Sequence, residues 1–278
     1  MKGYMSGGHG STAKILLLIP LICSILLYFP SCHAPGSDRG SKAMDQKQLQ
    51  VDKPEIDSSR VLNTLELYRA IRYEGMQEAM QAGPDHVYKL VLYGRNLESL
   101  PPDIGEFTYL ASLDVSHNEL SELPQAITEL HYLQGFYATH NRLSNFPGQV
   151  LHLPVLMKLD LSGNQIGRIP PGIRWMDQLT RLTMDDNILT AIPVEVYALR
   201  NLTVLELAKN GITVIPEGIS NLTALEKLDL SGNQLTGLPR EITTLGKNLK
   251  ELNIQGNRIP PEEVEWLIEA MPGTQIRY

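Results

Sequence analysis

The chain has 278 residues, 42% of them apolar and 20% charged, and its 24 basic and 31 acidic side chains leave a net charge of −7. That composition suits a globular protein with a sizeable core, and an acidic chain without a basic stripe is ill suited to nucleic acid, whose binding rests on neutralised phosphates. Both cysteines, Cys23 and Cys32, lie in the first stretch of the chain, so residues 33–278 hold no disulfide framework, thiol nucleophile or cysteine zinc site.

Residues 1–31 read as a signal peptide. Lys2 and Lys14 precede an apolar run from Ile15 to Phe29, interrupted by Pro20, Cys23 and Ser24. That run is shorter than the ~20 residues a spanning helix needs and has the length of a signal-peptide core. It closes on Phe29-Pro30-Ser31-Cys32. A cysteine behind an apolar core and a small residue resembles the lipobox of bacterial lipoproteins. The resemblance implies an acylated Cys32 as the new N-terminus and a lipid anchor in the cell envelope. Ser31 fits that pattern, whereas Phe29 and Pro30 depart from its common Leu-Ala-Gly form. The alternative is an ordinary signal peptide or an uncleaved anchor, with Cys32 incidental. Residues 32–57 begin with that cysteine and continue polar, which predicts a flexible tether.

Residues 58–86 are predicted to be a helical cap. Asp57, Ser58 and Ser59 are candidate helix starts. Tyr73, Met76, Ala79 and Met80 form an apolar stripe, which Gly83-Pro84 ends. The stretch from Tyr73 to Tyr88 resembles the leading segment of bacterial repeat proteins.

From Val87 the chain repeats itself. Asn118, Asn141, Asn164, Asn187, Asn210 and Asn233 follow one another every 23 residues, and Asn257 comes one residue later than that period. A fixed period of this size signals stacked units. One unit runs Leu225-Glu-Lys-Leu228-Asp-Leu230-Ser-Gly-Asn233-Gln-Leu235, then Leu238-Pro239, Ile242 and Leu245. This pattern is identified as that of the leucine-rich-repeat family in its short Leu-Pro form, over about eight units spanning 87–259. The implied fold is an α/β solenoid, a horseshoe with a parallel concave sheet and helical caps at both ends. In Leu228-x-Leu230 the alternation puts both leucines on one face of a short strand. No unit closes its interior alone, so neighbours are obligatory. The asparagine amide carries donors and an acceptor, enough to satisfy backbone groups of its own turn and the next, so the seven form a ladder. Pro101, Pro124, Pro147, Pro170, Pro193, Pro216 and Pro239 open the return segment, expected to be extended. Arg95 stands where the first unit's asparagine belongs, and Phe136, Ala138, Phe146 and Met184 replace usual leucines.

Residues 260–278 read as a second cap. Pro260-Pro261-Glu262-Glu263 opens a helix with acids at its positive end. Val264, Leu267, Ile268 and Met271 share one face expected to be buried, and Gln275 to Tyr278 are expected to add a last strand.

Function is expected on the outward strand positions. Tyr93, His117, Tyr137 and His140 gather over the first three units as a candidate contact patch. Asp160 is expected near Lys158 and Arg181, and Asp229 near Lys227, with Asp185 and Asp186 one turn on. His117 and His140 occupy equivalent positions in adjacent units, but zinc wants a third ligand, and only Asp114 is near. No Ser-His-Asp order, phosphate loop or HExxH motif is present, and paired carboxylates on an open sheet lack a pocket to divide their pKa values. Hence no catalytic residue, metal or cofactor is expected. The candidate ligand-binding residues are Tyr93, His117, Tyr137, His140, Asp160, Arg181 and Asp185. The expected function is a non-catalytic, membrane-tethered module that engages a protein, peptide or surface glycan. The alternative is a signalling scaffold, cytoplasmic or membrane-anchored.

Overall fold

A computed structural model describes residues 56–278; the expectations for the signal peptide, Cys32 and nearly all of the tether lie outside the described residues. The described chain winds into one open sheet of ten parallel strands in sequence order. They are β1 (Arg72–Tyr73), β2 (Lys89–Val91), β3 (Ser112–Asp114), β4 (Gly135–Tyr137), β5 (Lys158–Asp160), β6 (Arg181–Thr183), β7 (Val204–Glu206), β8 (Lys227–Asp229), β9 (Glu251–Asn253) and β10 (Gln275–Arg277). Register is unbroken: Leu90, Leu113, Phe136, Leu159, Leu182, Leu205, Leu228 and Leu252 are successive partners. All eight are fully buried. With side chains alternating along a strand, this row faces inward and the residues on either side face out. One continuous apolar core runs the length of the stack.

The asparagines close the turns after the strands. Asn164 accepts from the Leu143 N–H of the preceding unit at 3.1 Å. Its amide donates to Ala138 O of that unit at 3.0 Å and to Leu161 O of its own at 2.9 Å. The same cross-unit bonds recur from Asn118 to Asn257. Asn118 also accepts from the Arg95 and Leu97 N–H groups of the first unit.

The return segment differs from the extended form expected. Each repeat proline is an extended N-cap, as Pro101 (φ −65°, ψ 146°) is, and a 3₁₀ helix of at least five residues follows. The proline supplies a fixed φ and a carbonyl that accepts the helix's first N–H, for example from Ile104 at 3.1 Å. The tight coil then turns Ile104, Ile127, Val150, Ile173, Val196, Ile219 and Ile242 into the core, each completely buried.

Tyr197 lies on this convex side with its hydroxyl buried and no hydrogen-bond partner among the described residues. Its ring fills the space left by Gly218, where a Cβ would come within 2.7 Å of it. Burial raises the phenol pKa well above its ordinary value. Tyr197→Phe keeps the ring and removes an unpaired polar group, so it is expected to stabilise the fold by about 1 kcal/mol. Urea denaturation checks this, and a loss of stability would show that the hydroxyl has a partner.

The N-terminal cap is more broken than a single helix. A 3₁₀ turn (Ser58–Arg60) is capped by Asp57, which accepts from the Ser59 N–H at 3.0 Å. Helix α1 (Thr64–Arg69) starts at Asn63, not at the expected Asp57 or serines, through a reciprocal box with Glu66. The spacing Asn63-x-x-Glu66 was the signal for it. Strand β1 then interrupts the helical run, because Tyr73 pairs with Leu90 of the sheet. Helix α2 (Met76–Ala82) packs Ala79 fully into the core, with Met76 and Met80 beside it. Gly83, at φ 91°, ends it in a conformation that favours glycine.

At the other end helix α3 (Pro261–Ala270) buries Val264 and Leu267, with Met271 just beyond. Ile268, expected on that face, is 43% exposed: the buried stripe of this short helix is narrow and takes in Val264 and Leu267 only. Glu263 reaches back to accept the Leu238 N–H at 2.7 Å. A Cβ on Gly237 would stand 2.9 Å from that carboxylate, so the glycine makes room for the cap. Arg240 stacks on the Trp266 ring at 3.9 Å and holds the helix from outside.

Candidate functional site

The outward rows follow directly from the register. Lys89, Ser112, Gly135, Lys158, Arg181, Val204, Lys227 and Glu251 form one row. Val91, Asp114, Tyr137, Asp160, Thr183, Glu206, Asp229 and Asn253 form the central one. Past the strand ends stand Tyr93, Ser116, Thr139, Ser162, Asp185, Ala208, Ser231 and Gln255.

The next residue in every unit has a left-handed backbone. It is Gly94, His117, His140, Gly163, Asp186, Lys209, Gly232 or Gly256, with φ between 50° and 69°. The glycines at half of these positions carried the signal in the sequence. A left-handed non-glycine residue costs roughly 1–2 kcal/mol, so the histidines stand where the turn itself prefers glycine.

Three of the four expected patch residues come together. The Tyr93 and His117 rings lie 4.7 Å apart between centroids, and His117 and His140 4.4 Å apart. His140 continues over Gly163, where a Cβ would come within 2.5 Å of its Nδ1. The result is an exposed row of three rings along the rim of β2 to β4, with Tyr93 itself 53% exposed. Tyr137 does not join them. Its ring folds back over Gly135, so that a Cβ there would lie 3.2 Å from the ring and hydroxyl. Burial, then the charges of Asp160 and Asp114, push the Tyr137 phenol above its usual range.

The carboxylates are spoken for from within. Asp160 accepts from both the N–H and Oγ of Ser162, at 3.0 and 2.7 Å. Asp229 does the same with Ser231, and Asp114 accepts the Ser116 N–H. The recurring Asp-x-Ser is therefore a turn device that the sequence displayed and that went unread. Asp160 lies within electrostatic reach of Arg181, and Asp229 of Lys227, as expected, but the salt bridges close on Glu206, which meets Arg181 at 3.1 Å and Lys227 at 2.6 Å. Glu206 has the longer side chain and no serine two residues on, so it reaches both cations. That contact raises the Lys227 pKa. Burial raises the Asp160 pKa, and the Ser162 bonds oppose the rise.

Asp185 accepts the Ala208 N–H of the next unit at 2.6 Å. Burial nevertheless pushes its carboxyl up to about 6, and the charges of Glu206, Asp229 and Asp160 add to the effect. The folded protein thus holds this proton more tightly than the unfolded chain does. The associated stability is complete below pH about 4 and is lost as pH rises through about 6. Asp185→Asn keeps an acceptor for Ala208 and is expected to remove that fall. At pH 7 it gains about 1–2 kcal/mol, a figure reduced for solvent screening. Denaturation midpoints at pH 4.5 and 7 check it: the variant's advantage over the parent should be clearly larger at the higher pH, and an equal advantage at both would contradict the shift.

Among the described residues no group of three His, Cys, Asp or Glu side chains assembles to hold a metal, and no helix is long and apolar enough to cross a membrane.

The family profile described as leucine rich repeat matches residues 177–235, and a second of the same description matches residues 155–176. No curated protein sequence matches the chain. Among solved structures, a leucine-rich-repeat protein of Leptospira interrogans is 31% identical with a TM-score of 0.59, over 68% of this chain and 54% of that one. A plant peptide hormone receptor, solved in complex with RGF2, is 26% identical with a TM-score of 0.55, over 68% of this chain and 31% of that one. An internalin of Listeria monocytogenes shares the fold at 22% identity and a TM-score of 0.61, over 74% of this chain and 57% of that one. The chain spans between about a third and somewhat over half of the length of these proteins. The period, the parallel sheet, the asparagine ladder and these matches agree: the chain belongs to the leucine-rich repeat family.

Proposed function

We propose that this protein is a non-catalytic binding module that receives a protein or peptide on the concave sheet, centred on the Tyr93–His117–His140 row, and that an acylated Cys32 tethers it to a membrane. The carrying observation is the contrast across the face. From β5 to β8 Asp160, Arg181, Asp185, Glu206, Lys227 and Asp229 are occupied by serines, backbone N–H groups and one another, whereas the three rings over β2 to β4 are exposed and stacked in a row. Rigid aromatic groups lose little entropy on contact, which makes them good anchors. The peptide hormone receptor among the similar structures supports a peptide or protein partner over a small molecule. The anchor rests on the sequence around Cys32, and acyl-label incorporation lost in Cys32→Ser would support it.

The test of the face is partner capture from envelope extracts by the full chain and by a Tyr93→Ser/His117→Asn/His140→Asn variant. Asparagine tolerates the left-handed turn, so the variant loses rings without losing the fold. A partner held by the native protein and released by the variant establishes the face. Equal capture by both would overturn this reading.

A further inference from the structure

Among the described residues, the two edges of the sheet are open in a matching way. Every inner residue of the strand row from Leu90 to Leu252 is fully buried. Tyr73 of β1 and Ile276 of β10, which occupy the same row at the two ends, pack on the core but remain partly open. In a parallel ladder alternate residues bond to alternate neighbours. Gln275 N–H bonds to Lys250 O, and Arg277 O accepts from Ile254 N–H. The Ile276 N–H and C=O therefore point away from β9. By the same alternation Tyr73 faces β2, and the backbone of Arg72 points outward.

Beside these edges lie apolar groups that are exposed among the described residues. Leu65, Tyr68 and Ile71, in the segment leading into β1, are 55%, 80% and 69% exposed. Beyond the last repeat is a crevice of about 260 Å³, lined by Ile254, Ile259, Val264, Ile268 and Tyr278.

We propose that these ends are a self-association surface whose occupant is a second copy of this chain, stacked head to tail so that β10 of one copy pairs in parallel with β1 of the next. Continuing the register sets Ile276 beside the second copy's Tyr73 in the inner row, and Arg277 beside its Glu74 in the central outward row. The apolar pair completes the core row, and the outer pair is of opposite charge. Both charged groups are accessible: Arg277 is only 4.0 Å from Glu251 and Glu74 is 3.4 Å from Arg72, each with about half or more of its side chain exposed. A heterologous contact of this kind does not close on itself and extends with concentration. It leaves the concave rings free and stands independently of the ligand proposed for them.

The test is sedimentation of the full chain in non-ionic detergent across a concentration series. The protein-only mass is expected to grow past that of a dimer, with a dissociation constant on the order of 10–100 µM for a small interface. Glu74→Arg alone and Tyr68→Glu alone are each expected to weaken association about tenfold. The double variant Glu74→Arg/Arg277→Glu restores opposite charge only in a head-to-tail pairing and is expected to recover it. Thermal melts confirm that each variant is folded. A monomer at every concentration would overturn the proposal. So would association indifferent to Tyr68→Glu and Glu74→Arg, which would place the contact elsewhere, or a folded double variant that does not recover.

Discussion

Asn164→Leu is expected to destabilise the protein by about 3–5 kcal/mol, although the two side chains are close in size and the site is almost fully buried. The reason is the number of backbone groups that lose their partner at once. The Leu143 N–H and the Ala138 carbonyl depend on this amide, whereas the Leu161 carbonyl keeps a second bond from the Asn187 amide, and each buried group left unpaired costs about 1–3 kcal/mol. Both groups belong to the preceding unit, so the bonds lost are those that join it to the unit of Asn164, the contact on which a stacked repeat depends. Hydrogen exchange should show the loss of protection centred on residues 138–166, alongside a lower urea midpoint. A midpoint within experimental error of the parent would mean that the ladder does not hold the stack.

Phe136→Ala is expected to cost about 3–5 kcal/mol, the range for emptying a fully buried aromatic site. Phe136 is the fully buried inner residue of β4, between Leu113 and Leu159 in the same row. The more informative change is Phe136→Leu. It restores the residue most units carry here, and a repeat-consensus argument would predict a gain. The surrounding core has packed around a ring, and Ala138 two residues on is small. The substitution therefore leaves a void and is expected to cost about 1–2 kcal/mol. Calorimetry of the two variants separates the views: a rise in melting temperature for Phe136→Leu would favour the consensus argument.

Much of the architecture was legible without coordinates. The 23-residue asparagine period, the leucine alternation and the prolines fixed the number of units, the parallel sheet and the buried row. Those features are legible because apolar burial and turn closure are local demands, repeated identically in every unit. The caps were legible only in part. Asn63, β1 and the exposure of Ile268 depend on local contacts of the caps, and the caps do not share the period of the repeats.

The concave face was the least legible. Its membership followed from the alternation, and the rows were read correctly. Which side chains pair was not, because partners lie some 23 residues apart and compete. Arg181 lies near Asp160 but closes its bridge on Glu206 because serine holds Asp160, and Tyr137 left the other rings because Gly135 offered it a place to lie down. The sequence by itself determined the repeat, the buried row and the acidic character of the chain. Only the tertiary structure decided which outward groups satisfy one another and which stay free for a ligand, since that depends on side-chain reach across neighbouring strands.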